Sequence, residues 1–335
     1  MPVKRPDNHN SGHQIDDKKL WDVVFGAFGY PAILIAHKIR IFDLLAQGPR
    51  ALEEICNEKN IARRPAQAML SAAASQGFIE VRDGRYQLTS LAQEYLTPGS
   101  PRYFGHYWDF IIENHQVFSF EVLEQAVLED APQGHKLKER NTQGFADAMR
   151  SIGASASIWP RLVDLSTHRM LLDIGGGAGG HALGAVRQWP HLRATVFDLE
   201  AVSEIARREV GIDKLGDRIE VQTGDMWTSP FPAADVHFYS YIFHTCSIEQ
   251  CALLVRKSFS SLPVGGRIII HQVFYNSDKS GPFAAAAFSM EMLAWTSGEQ
   301  YSTPEIGKLL QDAGFRDVET RPTFGYCSMV TGVKR

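Results

Sequence analysis

A glycine-rich segment in mid-chain, residues 175–180, carries the clearest chemical signal. It follows an apolar run at 169–174, and a helical pattern and a second apolar run separate it from Asp198. Glycines let the backbone approach a ligand closely, and a carboxylate at the tip of the next strand suits the two hydroxyls of a ribose. The spacing predicts the first half of a nucleotide-binding crossover, and an ordinary αβ unit with a flexible turn is the simpler alternative.

The charge beside these glycines indicates which kind of nucleotide could bind. Gly175, Gly177 and Gly180 also satisfy the dinucleotide fingerprint G-x-G-x-x-G, which is a weak signal alone. Asp173 lies two residues before the first glycine, where its charge would repel a pyrophosphate. The same charge would attract the ammonium and sulfonium groups of S-adenosylmethionine (SAM).

A third predicted strand, residues 218–222, adds to this pattern. It leads into Asp225 and Met226, which would place another acid and a thioether where an adenine edge lies. Together with Asp173, these residues favour the cationic cofactor over a dinucleotide. SAM is therefore the predicted cofactor.

The elements that must position these residues form a strand–helix alternation from residue 166 to 335. Strands are predicted at 169–174, 194–198, 218–222, 235–241 and 267–274, with antiparallel closing strands at 317–324 and 326–333. This pattern is typical of an α/β, doubly wound, Rossmann-like sheet that binds its ligand at the carboxyl ends of the strands. We expect residues 166–335 to be the catalytic domain.

The N-terminal region, residues 17–100, has a different pattern. Short helices precede a hairpin whose turn is Asp83-Gly84, which together predict a winged-helix domain. In a DNA-binding regulator, Arg63, Arg64 and Gln67 would start the recognition helix. The segment 66–74 is mostly Ala, Met and Leu, which suits packing better, and the net charge of −4 disfavours nucleic acid as a partner.

The first strongly apolar segment, residues 20–36, calls for a test against membrane insertion. It is shorter than the ~20 residues that a spanning helix needs, and it contains two glycines and a proline. We therefore predict a helix that forms a homodimer, with no membrane role. The polar leader 1–16 is predicted to be disordered. The four cysteines show no disulfide or metal pattern, which fits a cytoplasmic protein without a metal site.

Residues 101–165 are rich in aromatic side chains and are predicted to form a helical linker that contributes to a substrate pocket. Residues 283–295 are apolar at helical spacing and resemble a second pocket wall. Core packing between elements is the alternative for both segments. The predicted pocket residues are Trp108, Met149, Phe288, Met292 and Trp295.

Eight short motifs, each at a different position, occur along the chain. They are 145–149 (FADAM), 173–177 (DIGGG), 198–199 (DL), 224–226 (GDM), 241–244 (YIFH), 265–267 (GGR), 298–302 (GEQYS) and 313–315 (AGF). With them, residues 18–335 resemble the plant-type (caffeate-like) small-molecule O-methyltransferases, which include bacterial natural-product enzymes. The resemblance implies methyl transfer from SAM to a phenol or enol hydroxyl in secondary metabolism.

The resemblance also implies roles for individual residues. His244 matches the catalytic base, which is chemically reasonable because histidine can accept the hydroxyl proton near neutral pH. The implied cofactor-binding residues are Asp173, Gly175, Gly177, Asp198, Leu199, Asp225, Met226, Ser240 and Tyr241. His271 is expected to lie on a strand and to face away from the site.

The chain departs from the family pattern around the base. Thr245-Cys246 replaces Asp-Trp after the histidine, and two glutamates that flank the base align with Gln272 and Gln300. An amide can orient an imidazole but cannot stabilise an imidazolium as a carboxylate would. Glu291 is a nearby acid that could substitute, or it could serve helix pairing.

This departure keeps other functions open. C- or N-methylation, or non-methylating chemistry of the hydroxylase or pericyclase kind with SAM bound, are the alternatives among enzymes. A winged-helix regulator that senses a small molecule is the alternative outside enzymes.

Overall fold

A computed structural model describes residues 16–134 and 141–335. The chain divides into two compact units, residues 1–100 and 101–335. The aromatic segment that we predicted as a linker thus belongs to the second unit. Residues 1–15, most of the leader predicted to be disordered, lie outside the described residues.

The first unit consists of helices and a small sheet. The helices are α1 (Lys18–Lys38), α2 (Ile41–Ala46), α3 (Leu52–Lys59), α4 (Arg63–Ser75) and α5 (Ser90–Leu96), and the strands are β1 (Arg50–Ala51), β2 (Ile79–Arg82) and β3 (Arg85–Leu88). The predicted hairpin is β2–β3, and both Asp83 and Gly84 of its turn have positive φ. On α4, Ala66, Leu70 and Ala73 are fully buried, which agrees with the packing role expected from its composition.

Helix α1 leaves much of its apolar surface exposed in the monomer. Phe25 and Phe28 are 58% and 70% exposed. Within the described residues, α1 is the one helix that is long and apolar enough to cross a membrane by length and composition. A large exposed apolar face of this kind marks a surface that another molecule covers.

The second unit is built around a seven-stranded sheet. Its strands are β4 (Met170–Ile174), β5 (Arg193–Asp198), β6 (Ile219–Thr223), β7 (Val236–Ser240), β8 (Arg267–Val273), β9 (Phe315–Pro322) and β10 (Cys327–Lys334). The strand order is β6-β5-β4-β7-β8-β10-β9, with β10 antiparallel to both β8 and β9. This confirms the predicted fold class, and every predicted strand is found within two residues of its expected ends.

The helices of this unit are α6 (Gly105–Glu113), α7 (Phe120–Glu129), α8 (Thr142–Ser151), α9 (Gly180–Gln188), α10 (Glu200–Ile212), α11 (Ile248–Ser261), α12 (Phe283–Trp295) and α13 (Thr303–Asp312). Helices α9, α10, α11 and α13 pack on the sheet, whereas α6 packs on α8 and α7 packs on α12. Because side chains alternate along a strand, Ile268 and Ile270 belong to one buried cluster and Ile269 to the other. The chain order reverses between β4 and β7, and a ligand crevice is expected at that switch point.

Candidate active site

The glycine segment forms a tight loop at the carboxyl end of β4. Gly175 and Gly177 have φ values of 66° and 57°, which glycine adopts readily. A Cβ atom on Gly175 would lie 2.4 Å from Ile242 Cδ1, so any side chain there would clash with the segment after β7. Asp198 holds the loop, because its Oδ2 accepts a hydrogen bond from Gly177 N at 2.9 Å and its Oδ1 accepts from Leu199 N at 2.8 Å.

Asp173 lies beneath this loop as a buried carboxylate. Its Oδ2 accepts a hydrogen bond from Ala182 N in the first turn of α9 at 3.2 Å, a capping role that the sequence did not suggest. Oδ1 has no hydrogen-bond partner among the described residues. Burial, with a smaller contribution from Asp198, raises the pKa of Asp173 to about 7. A buried carboxyl with one bare oxygen fits a cationic ligand, which would return the group to its ionised form.

The loop after β6 brings Asp225 and Met226 beside the end of β5. Gly224 N donates a hydrogen bond to Asp198 O at 2.9 Å. The Asp225 carboxylate accepts hydrogen bonds from Trp227 N and from Thr228 Oγ1 and so closes the turn. The partly buried Met226 side chain packs on the sheet core. The three predicted acids and Met226 therefore meet at one edge of the sheet, around the carboxyl ends of β4, β5 and β6.

His244 lies in a short 3-10 turn that follows β7. Its ring is buried and stacks on Phe288 of α12, with centroids 5.1 Å apart and planes 22° apart. Burial lowers the pKa of His244 to about 3. The imidazole is therefore neutral near pH 7 and has a lone pair with which to accept a proton.

The structure joins Gln300, but not Gln272, to this histidine. Gln300 Nε2 lies 2.9 Å from His244 Nδ1, and Gln300 is fully buried. The segment before it packs closely on the histidine turn, since a Cβ atom on Gly298 would lie 2.3 Å from His244 O. Gln272 is also fully buried on β8, but its amide has no hydrogen-bond partner among the described residues.

The predicted pocket residues divide between the site and the surrounding packing. The spacing of Phe288, Glu291 and Met292 places them on one face of α12. The Glu291 carboxyl group therefore lies one helical turn from the Phe288 ring, which stacks on His244. Glu291 accepts a hydrogen bond from Tyr107 Oη at 3.1 Å, and burial raises its pKa to about 7.

Trp295 contacts the rings of Phe110 and Phe118, whereas Trp108 contacts Phe104. Met149 is partly buried on α8. These contacts give Trp108 and Trp295 roles in packing the aromatic helices, the alternative that the sequence analysis left open.

Ser240 ends β7 at the switch point, and its environment corrects one prediction. Its Oγ lies 3.0 Å from His181 Nε2 and 3.1 Å from His271 Nδ1. The prediction that His271 faces away from the site is therefore wrong. The two residues are direct partners in the parallel β7–β8 register, so their side chains lie on the same face. The next residue, Tyr241, has φ 55° and contacts His244 with its ring.

Comparisons with known proteins identify the family of this chain. Residues 126–316 match the O-methyltransferase domain, and residues 21–98 match the O-methyltransferase dimerisation domain. The chain is 32% identical, over 94% of both chains, to 3-hydroxy-5-methyl-1-naphthoate 3-O-methyltransferase of Streptomyces sahachiroi. It is 27% identical to L-tyrosine C(3)-methyltransferase of Streptomyces lavendulae, over 90% of this chain and 87% of that one.

Among solved structures, PigF of Serratia with S-adenosylhomocysteine (SAH) superimposes with a TM-score of 0.82. The identity is 25%, and the match covers 96% of this chain and all of PigF. The domain matches, the sequence identity to a named enzyme and the fold all indicate the same family. The chain therefore belongs to the O-methyltransferase family and is a SAM-dependent methyltransferase.

Proposed function

We propose that this enzyme transfers a methyl group from SAM to a phenol or enol hydroxyl of a small aromatic metabolite. The observation that carries the proposal is the position of His244. A neutral, buried imidazole lies in the turn after β7 and stacks on an aromatic ring. It comes two residues after Ile242, the side chain that lies against Gly175 of the glycine loop. A base in this place can reach an acceptor hydroxyl beside the cofactor crevice.

The cofactor would lie across the carboxyl ends of the central strands. Asp198 would bind the ribose hydroxyls, and Asp225 with Met226 would bind the adenine. The backbone of Gly175 and Gly177 would lie against the methionine portion. The bare Oδ1 atom of Asp173 supports this arrangement, because it supplies the negative charge that the ammonium group requires. Leu199, Ser240 and Tyr241 complete the proposed set around the nucleoside and the sulfur.

When bound, SAM supplies a methyl group that its positive sulfur makes electrophilic. The chain's own residues then have to align the acceptor and remove its proton. In this proposal, His244 Nε2 accepts the hydroxyl proton, so Nδ1 must carry the other hydrogen. Gln300 would present its amide oxygen to Nδ1, a half-turn of the amide group that keeps the 2.9 Å contact. Phe288 shields the imidazole from water, and alignment of the reactants provides up to ~7–11 kcal/mol.

The acceptor would be flat and partly polar. Phe288 offers an aromatic face beside the base, and Glu291 with Tyr107 offers a polar pair one helical turn away. The Streptomyces sahachiroi relative is named for a hydroxynaphthoate, which is an acceptor of this kind. We therefore propose an aromatic natural product as the acceptor.

We further propose that the enzyme is a cytoplasmic homodimer that pairs through α1. The match to the dimerisation domain and the exposed rings of Phe25 and Phe28 support pairing. The four cysteines are free, which fits a reducing compartment.

Methylation of carbon is a second candidate, favoured by a specific observation. Gln300 stands where a carboxylate would stabilise an imidazolium, and the pKa of His244 is low, so the base is weak. Such a site suits an acceptor that is already ionised or carbon-nucleophilic, and one relative is named as a C-methyltransferase.

Incubation with methyl-labelled SAM and a panel of phenols and naphthols tests the proposal. Labelled ether products, and a loss of at least ~100-fold in His244→Ala, are expected. Label on a ring carbon would establish the second candidate, and absence of SAM binding by calorimetry would refute both.

A further inference from the structure

A chain of hydrogen bonds passes beneath the cofactor crevice through Ser240. His271 Nε2 lies 3.0 Å from Thr323 Oγ1, and His271 Nδ1 lies 3.1 Å from Ser240 Oγ. Ser240 Oγ in turn lies 3.0 Å from His181 Nε2. His181 stands in the first turn of α9, directly after the glycine loop. These hydrogen bonds therefore connect the loop between β9 and β10 to β8, β7 and α9 through four side chains.

Both histidines are neutral, and this restricts how protons can be placed. Burial lowers the pKa of His181 to about 4 and that of His271 to about 3. A neutral imidazole has one N–H donor and one lone-pair acceptor. Each ring can therefore donate on one side of the chain and must accept on the other, so all the hydrogen bonds run in one direction.

The far end of the chain sets that direction. Thr323 Oγ1 also lies 3.1 Å from Cys327 O, and a carbonyl oxygen can only accept. The single hydroxyl proton of Thr323 therefore goes to Cys327 O. It follows that Thr323 Oγ1 accepts from His271 Nε2–H, and that His271 Nδ1 is a bare lone pair.

The same logic fixes the proton of Ser240. Its hydroxyl donates to His271 Nδ1, and its oxygen accepts from His181 Nε2–H. His181 Nδ1 is then a lone pair, and this atom has no partner among the residues that the structure describes. The reverse direction would leave a buried N–H there and would also lose the bond to Cys327 O. The forward direction is thus the arrangement with the fewest unmade bonds.

We propose that Thr323, His271 and His181 hold the Ser240 proton away from the cofactor crevice, so that Ser240 offers only a lone pair to the positive sulfur of SAM. A hydroxyl oxygen has two acceptor sites, and His181 uses one of them. Ser240 is partly exposed at the switch point between β4 and β7, and in this proposal the cofactor takes the second site. This inference rests on the proposed cofactor position, and it makes Ser240 a selector for the charged cofactor over the neutral product SAH.

The conservative pair Thr323→Val and Thr323→Ser tests this selection without changing a proposed cofactor contact. Valine has nearly the shape of threonine but cannot accept from His271, so the ring is free to donate to Ser240 instead. The Ser240 proton can then turn towards the cofactor, where it repels a sulfonium and tolerates a thioether. By calorimetry, Thr323→Val should weaken SAM binding about fivefold and SAH binding less than twofold, whereas Thr323→Ser should keep the wild-type ratio.

Equal shifts for SAM and SAH in a folded Thr323→Val protein, or no shift, would overturn the inference. A wild-type protein that binds neither ligand would instead overturn the proposed function. A second measurement does not depend on either ligand. Long-range 1H–15N NMR of the unliganded enzyme should show His181 and His271 as Nε2–H tautomers near pH 7, with His181→Gln and His271→Gln used for assignment. A Nδ1–H tautomer or an imidazolium at either ring would refute the proton order.

Discussion

Replacement of Gln300 by glutamate should strengthen His244 as a base. In the wild-type enzyme an amide lies 2.9 Å from His244 Nδ1, and burial lowers the pKa of the ring to about 3. A carboxylate in the same place would stabilise the imidazolium. A charge-assisted hydrogen bond contributes ~1.5–3 kcal/mol, and two charges ~4 Å apart at an effective dielectric constant of ~20 attract by about 4 kcal/mol.

These energies correspond to a pKa increase of roughly one to three units, because one unit is about 1.36 kcal/mol. The pKa of His244 in Gln300→Glu should therefore lie between about 4 and 6. The sign follows from the mechanism, in which only the unprotonated ring accepts a proton. Activity should fall below the new pKa, so an acid limb should appear between about pH 4 and 6 in the variant. The wild-type rate should stay level across that interval.

The assay is kcat as a function of pH, with two acceptors of different acidity. The variant should gain rate above pH 7 with a weakly acidic phenol, and it should gain little with a nitrophenol that is already ionised. Gln272→Glu is the matched control, because Gln272 is equally buried but makes no hydrogen bond to His244. If folded, SAM-binding Gln300→Glu had the wild-type pH profile and the wild-type rate with both phenols, the reasoning about His244 would be refuted.

Three further predictions concern the cofactor, the dimer and stability. Asp198→Asn should weaken SAM binding by about 10- to 100-fold by calorimetry, because a charge-assisted bond to the ribose and the anchor of the Gly177 loop are both weakened; unchanged affinity would contradict the assignment. Phe25→Asp should convert a dimer to a monomer in light scattering, and an intact dimer would place the interface elsewhere. Acid should destabilise the fold between about pH 6.5 and 4, since the unfolded chain binds protons that four buried imidazoles with lowered pKa values cannot. Two carboxyl groups with pKa values raised to about 7 oppose this, and the smaller pKa shifts of His168 and Asp198 act in opposite directions. About two protons remain, which gives up to roughly 2.7 kcal/mol per pH unit near pH 5 in urea titrations; stability that rose on acidification would refute the assignments. The groups with the large shifts are His181, His237, His244, His271, Asp173 and Glu291.

The strands and helices of the catalytic unit could be predicted because their signals are local. A parallel strand covered on both faces is a continuous apolar run, and such runs mark β4, β5, β7 and β8 in the sequence. The spacing from the glycine loop to Asp198 likewise spans a single crossover. Because such patterns depend only on residues that are close together in the chain, the fold and the cofactor could be predicted from the sequence.

The environment of the base could not be predicted in the same way. Gln272 and Gln300 are equivalent by alignment, yet the structure brings only the latter within hydrogen-bond distance of His244, 56 residues away. The direction of His271 depends on its register with Ser240, and a shift of one residue would have turned it to the other face.

The amino-acid sequence by itself thus determined the doubly wound sheet and the cofactor, because these follow from periodicity, short spacings and the charge beside the glycines, and its short motifs carried the resemblance to the family. Only the tertiary structure decided which glutamine meets the base, that Asp173 also caps α9, and that four side chains link Thr323 to His181. The physical reason is that hydrogen bonds and burial act between groups that are distant in the chain. Their partners and pKa values exist only once the strands are in register and the helices have excluded water.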